Sequence, residues 1–107
     1  MSGRHDVVAV VTTFRPEPSI LPNLHRIAAQ VDKVILVDDS GNGGGRSSMN
    51  FSEIGNIVVV VNEVNIGIAA SLNRGIRQAA QLNYRWVITL DDDTLVSMSY
   101  VSDVLEV

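Results

Sequence analysis

The chain has no cysteine among its 107 residues. Disulfides, thiolate zinc sites and a cysteine nucleophile are therefore excluded, and the composition fits a reducing compartment. Basic residues are also few, because 8 lysines and arginines stand against 12 aspartates and glutamates, for a formal net charge of −4. No cluster of basic side chains occurs along the sequence, so we expect no binding to nucleic acid.

The sequence also lacks a hydrophobic run long enough for a membrane span or for the core of a signal peptide. Its first apolar run covers only Val7 to Val11 and follows a polar amino terminus. We therefore expect a cytoplasmic protein, at most at the cytoplasmic face of a membrane. With 46% hydrophobic and 19% charged residues, the chain is predicted to form a single domain over residues 1–107.

Four apolar segments have the β-branched character of strands in a buried parallel sheet. They are, in chain order, Val7–Thr13, Lys33–Val37, Asn56–Val61 and Trp86–Leu90. The last of them also carries an aromatic residue and is predicted to be buried on both faces.

Apolar residues recur at helical spacing in three other segments. The first helix is predicted to begin near Ser19 as its N-cap, with Pro22 in its first turn. The second extends from Ile68 to about Asn83, and the third includes Met98 and reaches the last residue without a C-cap signal. We therefore expect this chain to be the N-terminal segment of a longer protein.

The alternation of strands and helices predicts an α/β fold with a mostly parallel, Rossmann-like sheet and helices on both faces. The expected strand order is 3-2-1-4, and ligands bind such sheets at the carboxyl ends of strands where the order reverses. Three strands end in polar side chains, namely Thr12 and Thr13, Asp38 and Asp39, and the acidic triplet Asp91–Asp93. We expect these three groups to line one site.

The acidic triplet favours a bound cation, because adjacent carboxylates repel one another. Asp91 and Asp93 lie two residues apart, so a short turn can direct both at one Mg²⁺ or Mn²⁺ ion. The alternative is a solvated turn in which Asp93 or Thr94 caps the following helix.

The glycine-rich segment from Gly41 to Arg46 does not match a phosphate-binding motif. It lacks the spacing and the lysine of a P-loop, and Arg46 stands where a dinucleotide fingerprint needs its last glycine. A flexible loop is the better interpretation.

Four stretches, in their order along the chain, resemble the amino-terminal half of a family 2 glycosyltransferase with the GT-A fold. They are Val10–Arg15, Val37–Ser40, Asn65–Ile76 and Leu90–Asp93. The Asn-Ile-Gly-Ile-Ala stretch and the acidic triplet are most similar to the rhamnosyltransferase and galactofuranosyltransferase branch. The resemblance extends from about residue 7 to the end of the chain.

This resemblance implies the donor half of a metal-dependent, inverting enzyme that transfers a sugar from a UDP- or dTDP-linked donor to a glycan or lipid-linked acceptor. The residues that would bind or order the nucleotide are Thr12, Thr13, Arg15, Asp38, Asp39, Asn65, Asn73 and Asp91. Asp39 would accept a hydrogen bond from the base, and Asp91 would face the ribose or a metal-bound water. Asp93, together with Asp91, would hold the divalent ion that bridges the diphosphate. Simple helix entry is an equally good interpretation of Asn65.

The sequence departs from the family pattern at two places. The Gly-Ser-Thr-Asp run that often follows the acid pair is here Ser-Gly-Asn-Gly, starting at Ser40. The family's carboxylate base lies beyond the acidic triplet, where this chain has only Asp103 and Glu106 on no recognisable motif. No catalytic residue is assigned, so we expect the segment to be inactive by itself. A truncated sheet would also leave an unpaired edge, through which the segment could self-associate.

Two other classes of function are typical of α/β sheets of this kind. A receiver-like signalling module also gathers acids around Mg²⁺, but it needs an acid pair after the first strand and an aspartate after the third. This chain has Thr12 and Thr13 at the first position and Asn62 at the second. A non-catalytic nucleotide-binding domain is the remaining alternative.

Overall fold

The computed structural model describes residues 6–41, 51 and 53–105. Its elements are, in chain order, β1 (Val7–Thr13), α1 (Leu21–Ala28), β2 (Lys33–Asp38), β3 (Ile57–Val61), α2 (Ile68–Gln81), β4 (Trp86–Asp91) and α3 (Tyr100–Leu105). The four strands form one parallel sheet in the order β3-β2-β1-β4. The predicted α/β fold and strand order are thus confirmed. Residues 42–46 of the glycine-rich segment and Glu106 lie outside the described residues.

Helices cover both faces of the sheet, because successive side chains of a strand point to opposite faces. All seven residues of β1 are buried. On one face, α1 and α3 pack over a cluster that includes Ala9, Val11, Leu24, Ile27 and Val101. On the other face, α2 packs over a cluster that includes Val8, Val10, Ile35, Val37 and Ala79.

The prediction that β4 is buried on both faces is wrong. Ile88 and Leu90 are buried, but Trp86 is 47% exposed and Val87 is 39% exposed. These side chains are exposed because β4 lies at an edge of the sheet. Among the described strands it pairs only with β1, and α2 packs mainly over β1 and β2. Self-association through this open edge stays a prediction.

The first helix also begins later than predicted. Ser19 lies in a 3-10 turn, Pro18–Ile20, and is not an N-cap, since Ile20 occupies that position without a side-chain capping bond. Pro22 lies in the first turn of α1 as expected, and its missing N–H leaves one donor fewer to cap. Within the described ranges, no helix is both long and apolar enough to cross a membrane.

Candidate functional site

A cleft of about 210 Å³ lies at the carboxyl ends of the strands. Its lining residues are Thr12, Thr13, Phe14, Asp39, Ile68, Ser71, Asp91, Asp92 and Asp93. The strand register explains the grouping, because Thr12 is paired with Asp91 of β4 and Thr13 with Asp38 of β2. The cleft borders the point between β1 and β4 where the strand order reverses. The structure thus brings residues from all three predicted strand ends to one place.

Thr13 connects β1 to the acidic triplet. Its Oγ1 donates a hydrogen bond of 2.6 Å to Oδ2 of Asp92, 79 residues away. The outer members of the triplet, Asp91 and Asp93, have exposed side chains and line the same cleft. The helix-capping alternative is not observed, since α3 begins only at Tyr100.

Asp91 and Asp93 offer suitable ligands for a hard divalent ion. Mg²⁺ is usually held by one or two carboxylates, with waters and substrate phosphates completing its coordination. In the part of the chain that the structure describes, no group of three or more His, Cys, Asp or Glu residues is arranged to hold a metal ion. Asp91 and Asp93 thus supply two carboxylates at one cleft, which is the number that an open Mg²⁺ site usually takes from the protein.

The carboxylate of Asp39 is surrounded by donors from the loop between β3 and α2. Oδ1 accepts hydrogen bonds from Asn62 Nδ2 at 2.9 Å and from the Ile66 N–H at 2.8 Å. Oδ2 accepts from Asn65 Nδ2 at 3.1 Å and from the Gly67 N–H at 2.8 Å. A carboxylate has about four acceptor positions, so all of them are in use. Asp39 thereby fastens the start of α2 to the end of β2.

These hydrogen bonds determine the ionisation of Asp39. Burial acts to raise the pKa of its carboxyl, but hydrogen bonds from Ile66, Asn62, Gly67 and Ser71 outweigh burial and hold that pKa below the ordinary value of 3.8. The side chain is therefore an anion at neutral pH, although it is only 5% exposed.

Asn62 is a site residue that the sequence reasoning missed. It is 2% exposed, and its Nδ2 also donates to Ser71 Oγ at 3.0 Å. Arg74 donates from Nη1 to Asn62 Oδ1 and, at 3.3 Å, to the Val61 carbonyl. The position of Asn62 directly after β3 was the signal that could have identified it from the sequence, because the other three strands also end in site residues.

Asp38 and Arg15 do not line the cleft. Asp38 is 2% exposed, and its Oδ1 accepts hydrogen bonds from the N–H and the hydroxyl of Ser40, at 3.0 and 2.5 Å. The Arg15 N–H donates to Ser40 Oγ at 2.7 Å, and the Arg15 guanidinium lies 5.3 Å from the Phe14 ring centroid. Both residues thus shape the loops after β1 and β2. Asn73 is exposed on α2 and is also not a lining residue.

Two buried amides of the α1 region hold the segment that follows the acidic triplet. Asn23 donates to the Thr94 carbonyl at 2.6 Å and accepts from the Val96 N–H at 3.0 Å. Gln30 accepts from the Val101 N–H at 2.9 Å and donates to the Ser97 carbonyl at 2.8 Å. The chain beyond the triplet is therefore fixed to α1 through side chains. No pattern in the sequence indicated this role, since neither residue follows a strand.

Residues 8–107 match the model of the family described as Glycosyl transferase family 2. Comparisons with curated proteins and with solved structures find no match. The match covers almost the entire chain, and the parallel sheet with its 3-2-1-4 order agrees with it. The chain therefore belongs to glycosyltransferase family 2.

Proposed function

We propose that this chain binds a nucleotide-diphosphate sugar in the cleft, as the donor part of an inverting, metal-dependent glycosyltransferase. The observation that carries the proposal is the meeting of Thr12 and Thr13, Asp39 and the acidic triplet at one cleft. Membership of the family supports it. The stretch from Asn65 to Ala69 and the acidic triplet favour the branch that transfers rhamnose or galactofuranose.

The diphosphate end of the donor would lie at the acidic triplet. Asp91 and Asp93 would hold Mg²⁺ or Mn²⁺, and Asp91 would also face the ribose. When bound, the ion supplies positive charge beside the leaving nucleotide diphosphate. The bond from Thr13 to Asp92 supports this role, because it anchors the middle of the triplet to β1 and leaves the outer two carboxylates exposed.

The base would lie at Asp39. A carboxylate can accept a hydrogen bond from the N3–H of a uracil or thymine ring and so distinguish it from bases without that donor. Because four donors already occupy Asp39, the base would replace one of them. Asn65 is the best candidate for replacement, since its side chain is exposed and its 3.1 Å bond is the longest of the four.

Other predicted residues would contribute indirectly. Arg15 and Asp38 would order the loops beside the nucleotide through Ser40, to which both are bonded. Asn73 would help to order the beginning of α2. We assign no catalytic base, and Asp103 accepts a hydrogen bond from Ser99 within the α3 region, at 3.0 Å. The acceptor would be a glycan or lipid-linked sugar, and we propose a cytoplasmic location.

Isothermal titration calorimetry with UDP and dTDP, each with and without Mn²⁺, tests the proposal. We expect one nucleotide to bind only with Mn²⁺ and the Asp93→Ala variant to lose that binding. Glu53→Ala is the matched control, because Glu53 is an exposed acid that precedes β3 at the opposite edge of the sheet. If neither nucleotide binds a folded chain with Mn²⁺ in excess, or if both variants lose binding equally, the proposal is wrong.

A further inference from the structure

Asn62 has a partner for each hydrogen-bonding group of its side chain. The two Nδ2 hydrogens go to Asp39 Oδ1 and Ser71 Oγ, at 2.9 and 3.0 Å. Oδ1 accepts from Arg74, and the backbone N–H donates to the Asp38 carbonyl at 2.9 Å. With the side chain 2% exposed, this one amide joins the end of β2, the end of β3 and the first turns of α2.

The partners of Asn62 include two residues of the cleft wall, although Asn62 itself does not line the cleft. Asp39 and Ser71 both do, and Asn62 stands behind them as a donor to each. A buried carboxylate keeps its direction only while its acceptor positions are filled, because an unfilled one costs desolvation energy. Without the amide, Oδ1 of Asp39 would lose its 2.9 Å donor and keep the Ile66 N–H, and Ser71 Oγ would lose its Nδ2 donor.

We propose that Asn62 is a positioning residue of the donor site, whose amide fixes the Asp39 carboxylate and Ser71 at the nucleoside end of the cleft. This inference rests on the proposed function. It adds that recognition of the base depends on a residue that the nucleotide does not touch.

The experiment compares Asn62→Leu and Asn62→Ala with Asn56→Ala. The leucine variant keeps the approximate size of the side chain, removes both donors and adds no charge beside Asp39, so it separates hydrogen bonding from packing. Asn56 is the matched control because it is another asparagine beside β3, at the amino end, where its Nδ2 donates to the carbonyls of Ala28 and Val31 at 2.9 and 3.1 Å. Replacing Asn56 should therefore affect stability at a place away from the cleft.

Two probes separate the ends of the site, namely the nucleotide that binds the unchanged chain, with Mn²⁺, and inorganic pyrophosphate with Mn²⁺. We expect both Asn62 variants to bind the nucleotide about tenfold more weakly, the effect of losing one hydrogen bond to a charged group. Their affinity for pyrophosphate should stay unchanged, and Asn56→Ala should alter neither affinity. Unchanged nucleotide binding in both Asn62 variants would overturn the proposal, as would equal weakening of both probes or an equal effect of Asn56→Ala.

Hydrogen exchange of the Ile66 and Gly67 amides in the ligand-free chain provides a readout that does not depend on nucleotide binding. Both amides donate to Asp39, so they should exchange faster in the Asn62 variants than in Asn56→Ala. If the unchanged chain binds no nucleotide, the proposed function is wrong. The hydrogen exchange of the two amides then still shows whether Asn62 positions Asp39. Equal exchange in all variants would overturn the positioning role. Should the Asn62 variants not fold, Ser71→Ala removes one partner of the amide and is measured in the same way.

Discussion

Gly75 of α2 lies directly against Val10 of β1. A Cβ at position 75 would stand 2.3 Å from Val10 Cγ1 and 3.1 Å from Val37 Cγ2, closer than side chains pack. Ser71 and Ala79, one turn away on either side, are also small and are fully buried. Helix α2 can therefore approach the sheet closely, and this approach carries Ser71 to the wall of the cleft.

Gly75→Ala is expected to destabilise the fold. In an open helix the change would add about 1 kcal/mol of stability through helix propensity, but overpacking here costs about 1–3 kcal/mol or more. Urea unfolding measures the difference, and Gly55→Ala is the control because nothing lies within 4 Å of a Cβ there. Combining Gly75→Ala with Val10→Ala should cost less stability than the two single changes added together, because the smaller side chain relieves the overlap. A Gly75→Ala chain at least as stable as the original would contradict the close contact.

The Asp39 carboxylate should make stability depend on acid pH. Because hydrogen bonds hold the pKa of its carboxyl below 3.8 in the fold, its contribution is present above that value and is lost as the pH falls through the folded-state pKa. Asp39→Asn should therefore unfold more easily at pH 7, by about 1–3 kcal/mol. The difference in unfolding free energy between the original chain and Asp39→Asn should become smaller below about pH 4. Denaturant unfolding from pH 7 to pH 2.5 tests this, and a difference that stays constant would contradict it.

Tyr84 should ionise late in alkaline solution. Its hydroxyl donates to Asp32 Oδ2, and this bond, with burial and the charge of Asp32, raises the pKa of Tyr84 from 10.0 to about 12. The stability from this group is present below about pH 10 and declines as the pH rises towards 12. Ultraviolet titration of the two tyrosines should show a late step that Tyr84→Phe abolishes. A late step that persists in the variant would refute the assignment.

Gln30→Leu should loosen the segment that follows the acidic triplet. The substitution removes the acceptor of the Val101 N–H and a donor to the Ser97 carbonyl, and leaving the buried Val101 N–H unpaired costs about 1–3 kcal/mol. Urea unfolding and hydrogen exchange of the Val101 amide measure the loss. Gln81→Leu is the control, because Gln81 is exposed at the end of α2. Equal effects of the two substitutions would show that the amide of Gln30 has no special role.

The sequence alone determined the order of the elements and the edge of the sheet where the site lies. Continuous β-branched runs such as Val7–Thr13 and the helical spacing from Ile68 onwards are local patterns, and both correspond to observed elements. The placement of Thr12 and Thr13, Asp39 and the acidic triplet at one cleft also followed, because parallel strands bring their carboxyl ends to one edge.

Only the tertiary structure decided how each polar side chain is used. Asp39 meets Asn62 across 23 residues and Thr13 meets Asp92 across 79, and no local pattern encodes such pairs. The exposure of Trp86 was not predicted for the same reason, since the sequence of a strand does not show whether other strands pair with it on both sides. Periodicity specifies which face of an element is apolar, whereas hydrogen-bond partners and edge positions depend on contacts between elements that are distant in the chain.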